Sequence, residues 1–249
     1  MLTIGVIGEG LSDQHVVENI LSGFFQNESS ELFVNYIQPA SATLQAPAPP
    51  GGWTLVFDCL RRGDVALALQ VNDCVVIHID TDQQEEVGFD VPRREGGREL
   101  SPPDRVARVI TRLLADIDPA CYLANSGRIL FAVAVDAIEC WLLPLLYTDS
   151  KAGKTTGCLL AANAQLRKLN RKGLASGTAK FPRSYEVASD NYRKRKILLG
   201  RGSENLSLAL FLQRLTSFQQ YRNALLASKV QIENGAASDE ATEHLEADG

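Results

Sequence analysis

The chain has 249 residues, enough for a sizeable core, and its hydrophobic content of 45% and charged content of 22% are ordinary for a globular protein. No apolar run approaches the ~20 residues that a membrane-spanning helix needs, and the first apolar run lacks the basic residues that precede a signal peptide's apolar core. The five cysteines are scattered without a CxxC pair, which favours reduced thiols and argues against a zinc site. We therefore expect a soluble cytoplasmic protein that makes no membrane contact.

The charge is unevenly distributed, although the formal net charge of −5 taken alone argues against a nucleic-acid partner. Between Arg167 and Arg201 the sequence has eleven lysines and arginines and only two acids, so this segment has the charge to follow a phosphate backbone. A solvated loop or helix face is the alternative interpretation of such a charge run. From Glu233 onward the chain has six acids and no lysine or arginine, and we expect this tail to be disordered.

Strand and helix patterns alternate through residue 147. The predicted elements are a strand at 3–8, a helix at 12–25, a strand at 31–39, a helix at 53–70 bent near Gly63, a strand at 73–82, a helix at 103–117, a strand at 128–136, a helix at 138–147 and a long helix at 203–229. A turn-rich, proline-rich loop is expected between 41 and 53, and no convincing strand follows residue 147.

The strongest strand pattern lies in DCVVIHIDTD, whose near-continuous apolar run is typical of the centre of a parallel sheet. The alternation predicts an α/β fold with a doubly wound, mainly parallel sheet over residues 1–147. Residues 148–232 are expected to form a basic loop and helical extension that packs on this domain, and residues 233–249 to form the acidic tail.

Acidic residues follow three of the predicted strands. They are Glu9 in GEG, Asp80 and Asp82 in HIDTD, and Asp136 and Glu139 in AVDAIECW. Because ligands of open α/β sheets bind at the carboxyl ends of the strands, we expect these acids to meet at one edge. Grouped carboxylates repel each other unless a cation neutralises them, and oxygen ligands are those that Mg²⁺ prefers. His78 is either a core histidine or a residue that supports the acids.

The motifs GEGLSD, IDTD and AIECWLL resemble those of the Toprim domain, which occurs in topoisomerases, primases and nucleases of the OLD family. The resemblance covers about residues 3–147. The helix start at Glu139 and the later segment LFLQRLTSFQQYRNAL look more like small Toprim-related proteins found near bacterial phage-defence genes. The catalytic tyrosine domain of topoisomerases has no counterpart here, so strand passage is not expected.

The resemblance implies roles for individual residues. Glu9 matches the family's general acid or base and is also counted with the metal ligands, where it would shape the shell of a second ion. Asp80 and Asp82 match the family's metal-binding DxD, and Glu139 matches a downstream acid that assists metal binding. Asp13 matches a second acidic position and is either a metal ligand or a charge in the first helical turn. We count Asp136 with the metal ligands because of its place after the last strand.

These motifs lead us to expect a Mg²⁺- or Mn²⁺-dependent nuclease, acting in phage defence or abortive infection, with one or two ions at the acids. The residues expected to hold the nucleic-acid backbone are Lys151, Lys154, Arg193, Lys194, Arg195 and Lys196. An ATPase or sensor partner and a homodimer are both compatible with the sequence. DNA, RNA and tRNA all stay open as substrates.

Three other interpretations were weighed. A Toprim-like domain without catalytic activity would bind nucleic acid or work with an ATPase. A phosphohydrolase of the DxD type usually has Thr or Val where this chain has Gln84, which disfavours that class. The stretch TDSKAGKTTG imitates a Walker A motif, but it has Thr148 in place of the first glycine and follows a helix. A loop with basic residues near the acids is the better interpretation of that stretch.

Overall fold

The structure is a computed structural model that describes residues 1–26, 31–40, 51–176 and 179–246, with side chains described through Ser228. Most of the predicted proline-rich loop, residues 41–50, lies outside the described residues. The strands are β1 (Leu2–Ile7), β2 (Leu32–Gln38), β3 (Cys74–Asp80), β4 (Arg94–Glu95), β5 (Arg98–Glu99), β6 (Ile129–Ala134), β7 (Ala175–Ser176) and β8 (Ala179–Lys180). The helices are α1 (Leu11–Phe24), α2 (Trp53–Arg62), α3 (Asp64–Ala68), α4 (Pro102–Leu114), α5 (Pro119–Asn125), α6 (Glu139–Leu146), α7 (Cys158–Lys168), α8 (Pro182–Ser189), α9 (Arg195–Arg201) and α10 (Leu206–Glu246).

The centre of the fold is a four-stranded, all-parallel sheet in the order β2-β1-β3-β6. All seven residues of β3 are buried, which agrees with its continuous apolar pattern and its central position. In the register of β3 with β6, Asp80 lies opposite Ala134, so these two strands end at the same edge. The parallel arrangement therefore brings the loops after β1, β3 and β6 together.

Helices cover both faces of the sheet. On one face, α1, α6, α7, α8 and α10 share a core with the strand residues that point to that face, such as Val6, Val76 and Ala132. On the other face, α2 and α4 pack against residues such as Val75, Ile77 and Val133. The alternation of side chains along each strand supplies both cores. The predicted α/β fold with a parallel sheet between helical layers is confirmed.

The chain after residue 147 packs on the face that carries α1. The indole of Trp141 on α6 and the phenyl ring of Phe211 on α10 stack, with their centroids 5.7 Å apart. The Trp141 indole also donates to the Ser207 hydroxyl at 2.8 Å. Asn19 on α1 donates to Ser189 on α8 at 2.7 Å. These contacts place α8 and α10 directly against the elements that carry the acidic motifs.

Several predicted boundaries shift, and one prediction is wrong. The bend near Gly63 separates α2 from α3, because Gly63 has a left-handed φ of 79°. The expectation of no strand after residue 147 is wrong, since β7 and β8 pair as a short antiparallel hairpin. Two-residue strands leave no periodic pattern in a sequence, which explains the omission.

Helix α10 begins at Leu206 and continues to Glu246. The sequence predicted that this helix ends near Lys229 and that residues 233–249 are disordered. The predicted end near Lys229 is wrong, because the helix runs on to Glu246 without a proline to stop it. The disorder of the tail stays a prediction. Within the described part of the chain, no helix has both the length and the apolar composition needed to cross a bilayer.

The expectation of reduced cysteines is wrong for one pair. Cys140 and Cys158 form a disulfide, with their Cα atoms 4.9 Å apart. Both lie at the starts of helices, α6 and α7, that pack against each other. Cys59, Cys74 and Cys121 are free thiols. The paired cysteines are 18 residues apart, so no short sequence motif predicts their pairing.

Candidate metal centre

Glu9 links the ends of two neighbouring strands. Its Oε1 accepts a hydrogen bond of 2.7 Å from the backbone amide of Asp80, which ends β3. The main chain of Glu9 is also closely covered, because its carbonyl accepts from the amide of Gly52 at 2.7 Å. A Cβ at Gly51 would lie 2.0 Å from that carbonyl oxygen, so only glycine fits there. These contacts hold the GEG loop against the carboxyl end of β3.

Asp13 and Asp80 place buried carboxylates beside Glu9. Asp13 lies in the first turn of α1 and is 2% exposed, and Asp80 is 5% exposed. Among the described residues, neither Asp13 Oδ1 nor Asp80 Oδ1 has a hydrogen-bond partner. Burial raises the pKa of Asp13 to about 6. Burial, with Asp13 and Glu9 next in importance, raises the pKa of Asp80 well above its usual value. Desolvated, mutually repelling carboxylates of this kind are stabilised either by protonation or by a cation.

Glu139 brings a further buried carboxylate from the first turn of α6. One of its oxygens, Oε1, accepts a hydrogen bond from the hydroxyl of Tyr185 on α8. The same oxygen lies 3.5 Å from the ammonium of Lys180. Helix α8, which the sequence did not connect with the site, therefore orients this acid.

Lys180 supplies the positive charge at this cluster, and the sequence analysis did not single it out. Its Nζ lies 3.5 Å from Glu139 Oε1 and 3.9 Å from Asp13 Oδ1. Burial opposes its charge, but the attraction of Asp13, Glu139, Asp80 and Glu9 raises the pKa of Lys180 above its usual value. The side chain is 43% exposed, so solvent and ligands reach it. The only sequence signal was its membership of the basic segment.

Asp82 and Asp136 lie at the rim of the cluster. Asp82 is exposed as a residue, but its carboxyl group is partly desolvated. This partial burial, together with the acidic neighbours Asp136 and Glu139, raises the pKa of Asp82. Asp136 has a left-handed φ of 69°, and its amide donates to the Thr81 hydroxyl at 2.8 Å. Burial also raises the pKa of Asp136, although nearby Arg93 opposes the shift. The structure thus brings all six predicted acids to one edge of the sheet.

A buried arginine that the sequence analysis missed holds the loop after β3. Arg105 on α4 is 2% exposed. It donates through Nη2 to the Thr81 hydroxyl at 2.7 Å and through Nε to Gln84 Oε1 at 3.0 Å. Since Thr81 also accepts from the Asp136 amide, Arg105 fixes the loops after β3 and β6 relative to each other. Gln84 is part of this support and does not face a ligand.

His78 is a neutral residue between the acids and the core. Its ring packs edge-on against Trp141, with centroids 5.8 Å apart, and its Nε2 lies 3.5 Å from Asp80 Oδ1. Complete burial, followed by repulsion from Lys180, lowers the pKa of His78 to about 3. The imidazole therefore carries no charge at neutral pH and does not neutralise Asp80.

The chemistry of this cluster fits a hard divalent cation. The donors are carboxylate oxygens, and the buried oxygens of Asp13 and Asp80 lack partners among the described residues. The side chains are nevertheless not gathered tightly, because within the described chain no three of the six acids have oxygens mutually within 4.8 Å. The group that meets this spacing is Asp136, Cys140 and Cys158, and its two sulfurs are bonded to each other. Lys180 instead lies beside two of them, Glu139 and Asp13, and Arg93 lies 3.6 Å from Asp136.

The six basic residues predicted to bind nucleic acid do not lie together. Lys151 is in a 3₁₀ turn after α6, with its ammonium 5.2 Å from the Tyr147 ring centroid, and Lys154 follows that turn. No strand precedes this Walker-like stretch, so the context of a phosphate loop is absent. The backbone amide of Gly157, at the end of the stretch, opposes the rise of the Asp136 pKa.

The cluster Arg193, Lys194, Arg195 and Lys196 lies at the opposite end of α1 from Asp13. Arg193 Nε donates to Asn19 Oδ1 at 2.6 Å, and the Arg195 guanidinium lies 4.7 Å from the Phe24 ring centroid. Asp13 and Phe24 are eleven positions apart in α1, which corresponds to about 16 Å of helix. The structure therefore does not bring these four residues to the acids, and their nucleic-acid role stays a prediction.

Comparison with protein-family models, with curated proteins and with solved structures finds no match to this chain.

Proposed function

We propose that the protein is a Mg²⁺- or Mn²⁺-dependent nuclease with a Toprim-like fold. The observation that carries the proposal is the convergence of six carboxylates at the carboxyl edge of a parallel sheet, where the ammonium of Lys180 lies 3.5 Å from Glu139 and 3.9 Å from Asp13. Two of the buried carboxylate oxygens have no hydrogen-bond partner among the described residues. A structural ion-pair network alone does not explain why acids from three strand ends are buried together.

Asp13, Asp80 and Glu139 are the residues that would hold the cation, with Asp82 and Asp136 at its open side. The ion supplies neutralisation of the scissile phosphate and a lowered pKa of a bound water. Lys180, whose exposed ammonium contacts Asp13 and Glu139, would pair with a phosphate oxygen of the substrate if those two acids held the cation. Lys180 then holds the phosphate beside the acids.

Glu9 is the general base of this proposal. Its Oε1 is fixed by the Asp80 amide, and its second oxygen accepts the proton of the attacking water. Burial raises the pKa of Glu9 to about 8, with repulsion from Asp13 next in importance. A base whose pKa lies near the working pH takes up a proton readily, and a sufficient fraction of it is still unprotonated at that pH. On the resemblance to small Toprim-related proteins, we propose that this activity serves phage defence in the cytoplasm and that an ATPase is its partner.

The experiment is a cleavage assay on plasmid, linear DNA and RNA with Mg²⁺, Mn²⁺ or EDTA. The nuclease is expected to cleave at least one substrate with Mn²⁺ and none with EDTA. Glu9→Gln and Asp80→Asn are expected to abolish cleavage, and Asp58→Asn on α2, an exposed acid outside the cluster, is expected to keep it. Cleavage that survives both Glu9→Gln and Asp80→Asn would rule the proposal out.

A domain without catalytic activity is the second candidate, because two of the acids already lie beside a lysine. In that case Lys180 is a permanent counter-ion, and nucleic acid or a partner protein binds without a metal. Asp82→Asn separates the two functions. It leaves binding by the non-catalytic domain unchanged, whereas it strongly reduces Mn²⁺-dependent cleavage by the nuclease.

A further inference from the structure

A surface pocket of about 560 Å³ lies between the C-terminal end of α7 and helix α8. Its wall is largely apolar and includes Leu166, Phe181 and Val187. Val187 is 49% exposed and is accessible to a ligand in the pocket. The volume is within the range of small-molecule pockets, about 300–1,000 Å³. The pocket is therefore large enough for a planar aromatic ligand.

Basic side chains surround this apolar wall. Arg171, Lys172 and Arg183 line the pocket, and within the described residues no aspartate or glutamate does. Arg171 is held in place, since its Nη2 donates to the Val187 carbonyl at 3.1 Å. The ammonium of Lys172 lies 4.3 Å from the centroid of the Phe181 ring. The ligand that this combination fits has an apolar planar part and negative charges on either side of it.

The pocket and the acidic cluster share one segment of chain. Phe181, in the pocket wall, directly follows Lys180, whose ammonium contacts Asp13 and Glu139. Helix α8 lines the pocket with Ser184, and its next residue, Tyr185, donates to Glu139. The pocket and the acidic cluster are therefore built on the same segment, because Lys180 and Tyr185 each adjoin a residue of the pocket wall.

We propose that this pocket receives an unpaired nucleobase, so that the substrate of the acidic site is a single-stranded nucleic acid. The inference rests on the nuclease proposed above and specifies its substrate class. The base lies against Phe181 and Val187, its flanking phosphates pair with Arg171, Lys172 and Arg183, and the next phosphate reaches Lys180. A base-paired duplex does not fit, because its bases are stacked inside the helix and their faces are inaccessible.

The test measures binding of the full-length protein to a short fluorescein-labelled oligothymidine by fluorescence anisotropy, with Ca²⁺ in place of Mg²⁺. Two further ligands of the same length are compared: an abasic strand, which keeps the phosphates, and a duplex. Ser184→Trp fills the pocket, and Lys172→Glu reverses a charge on its rim. Lys168→Glu makes the same charge change on α7 outside the pocket and is the matched control.

Oligothymidine is expected to bind at least about tenfold more tightly than the abasic strand or the duplex. Ser184→Trp and Lys172→Glu are each expected to weaken that binding by about tenfold, and Lys168→Glu by less than about threefold. Lys172 and Lys168 are both exposed, so this pair of variants decides the question even where Ser184→Trp fails to fold.

Equal binding of the abasic strand would overturn the inference, because phosphates alone would then explain the affinity. Pocket variants that bind oligothymidine like the wild type would also overturn it. A naphthalenesulfonate dye that Ser184→Trp excludes, and that oligothymidine fails to displace, would show a pocket for another ligand. Binding as expected without Mn²⁺-dependent cleavage would instead remove the nuclease and leave the pocket assignment standing. Mn²⁺-dependent cleavage that the pocket variants leave unchanged would support the nuclease and remove the pocket assignment.

Discussion

The backbone amide of Asp80 donates a 2.7 Å hydrogen bond to Oε1 of Glu9, and this contact joins the ends of two adjacent parallel strands. It uses the main chain of one acid to fix the side chain of the other. Both carboxyl groups are thereby held at the same edge although they repel each other. The proposed chemistry depends on this arrangement, because the hydrogen bond orients the Glu9 side chain while the carboxylate of Asp80 is available to bind a cation.

Glu9→Gln is expected to lower kcat by about 10²–10⁴-fold with little change in KM, because a general base is lost while the substrate contacts remain. Folding should be preserved, since the amide oxygen of glutamine can still accept from the Asp80 amide and a buried charge is removed. Single-turnover cleavage kinetics with Mn²⁺ measure the effect. Glu86→Gln, at an exposed acid, is the control. A Glu9→Gln enzyme with the wild-type kcat would contradict the role of Glu9 as the base.

Lys180→Met is expected to destabilise the metal-free protein, because Asp13 and Glu139 lose their positive neighbour. Since the lysine is 43% exposed, we expect a loss of about 1–2 kcal/mol and not the larger cost of breaking a fully buried pair. Urea unfolding in EDTA measures it, with Lys168→Met as the control. The same variant should bind Mn²⁺ more tightly, because no ammonium competes for the acids. Weaker Mn²⁺ binding would show that Lys180 supports the metal and does not compete with it.

The metal-free protein is expected to lose stability as the pH rises through the neutral range. Burial raises the pKa of Glu9 from 4.5 to about 8 and that of Asp13 from 3.8 to about 6. A carboxyl group whose pKa is higher in the folded state binds its proton more tightly there. Below the pKa of the unfolded state the group is protonated in both states, so its ionisation costs no stability. Above that pKa the free energy of unfolding decreases until the pH passes the pKa of the folded state. The affected window therefore runs from about pH 4 to about pH 8.

Thermal unfolding in EDTA between pH 5 and pH 8.5 checks this expectation. Tm should fall across the range in the wild type and fall less in Glu9→Gln. Mn²⁺ should raise Tm most at the upper end, where the acids are ionised and bind the cation best. A Tm that rises with pH in EDTA, or a Mn²⁺ effect that is largest at pH 5, would contradict the account.

Reduction of the disulfide is expected to lower the free energy of unfolding by about 2–4 kcal/mol, as is usual for loops of this size. The bond closes a loop between residues 18 apart and joins the starts of α6 and α7. Urea unfolding with and without reductant measures the effect in the wild type and in Cys140→Ser. Cys121→Ser, at a free thiol, should respond to reductant like the wild type. Equal stability with and without reductant in the wild type would show that the bond does not form in solution.

The central sheet and its acidic edge were predictable because strong local patterns encode them. The apolar run of β3 requires a buried central strand, and parallel topology then brings the residues after β1, β3 and β6 to one edge. Glu9, Asp80 and Glu139 could be grouped on that basis alone. No side-chain contact had to be known.

Lys180 could not be predicted in the same way. It lies on a two-residue strand, and its position depends on the packing of α8 against α1 through Asn19 and Ser189. Arg105 was missed for a related reason, since only the folded loop after β3 places Thr81 and Gln84 beside it. The disulfide needs α6 and α7 to be adjacent, which no local pattern states. In each case a long-range contact, and not a motif, defines the role.

A crystal structure of the protein soaked with Mn²⁺ tests the central claim most directly. Anomalous scattering locates the ion without reference to activity. The account predicts a Mn²⁺ peak bound by Asp80 together with Asp13 or Glu139, and a Lys180 ammonium that has moved away from those acids. Absence of a peak at saturating Mn²⁺, with Lys180 still between Asp13 and Glu139, would contradict it.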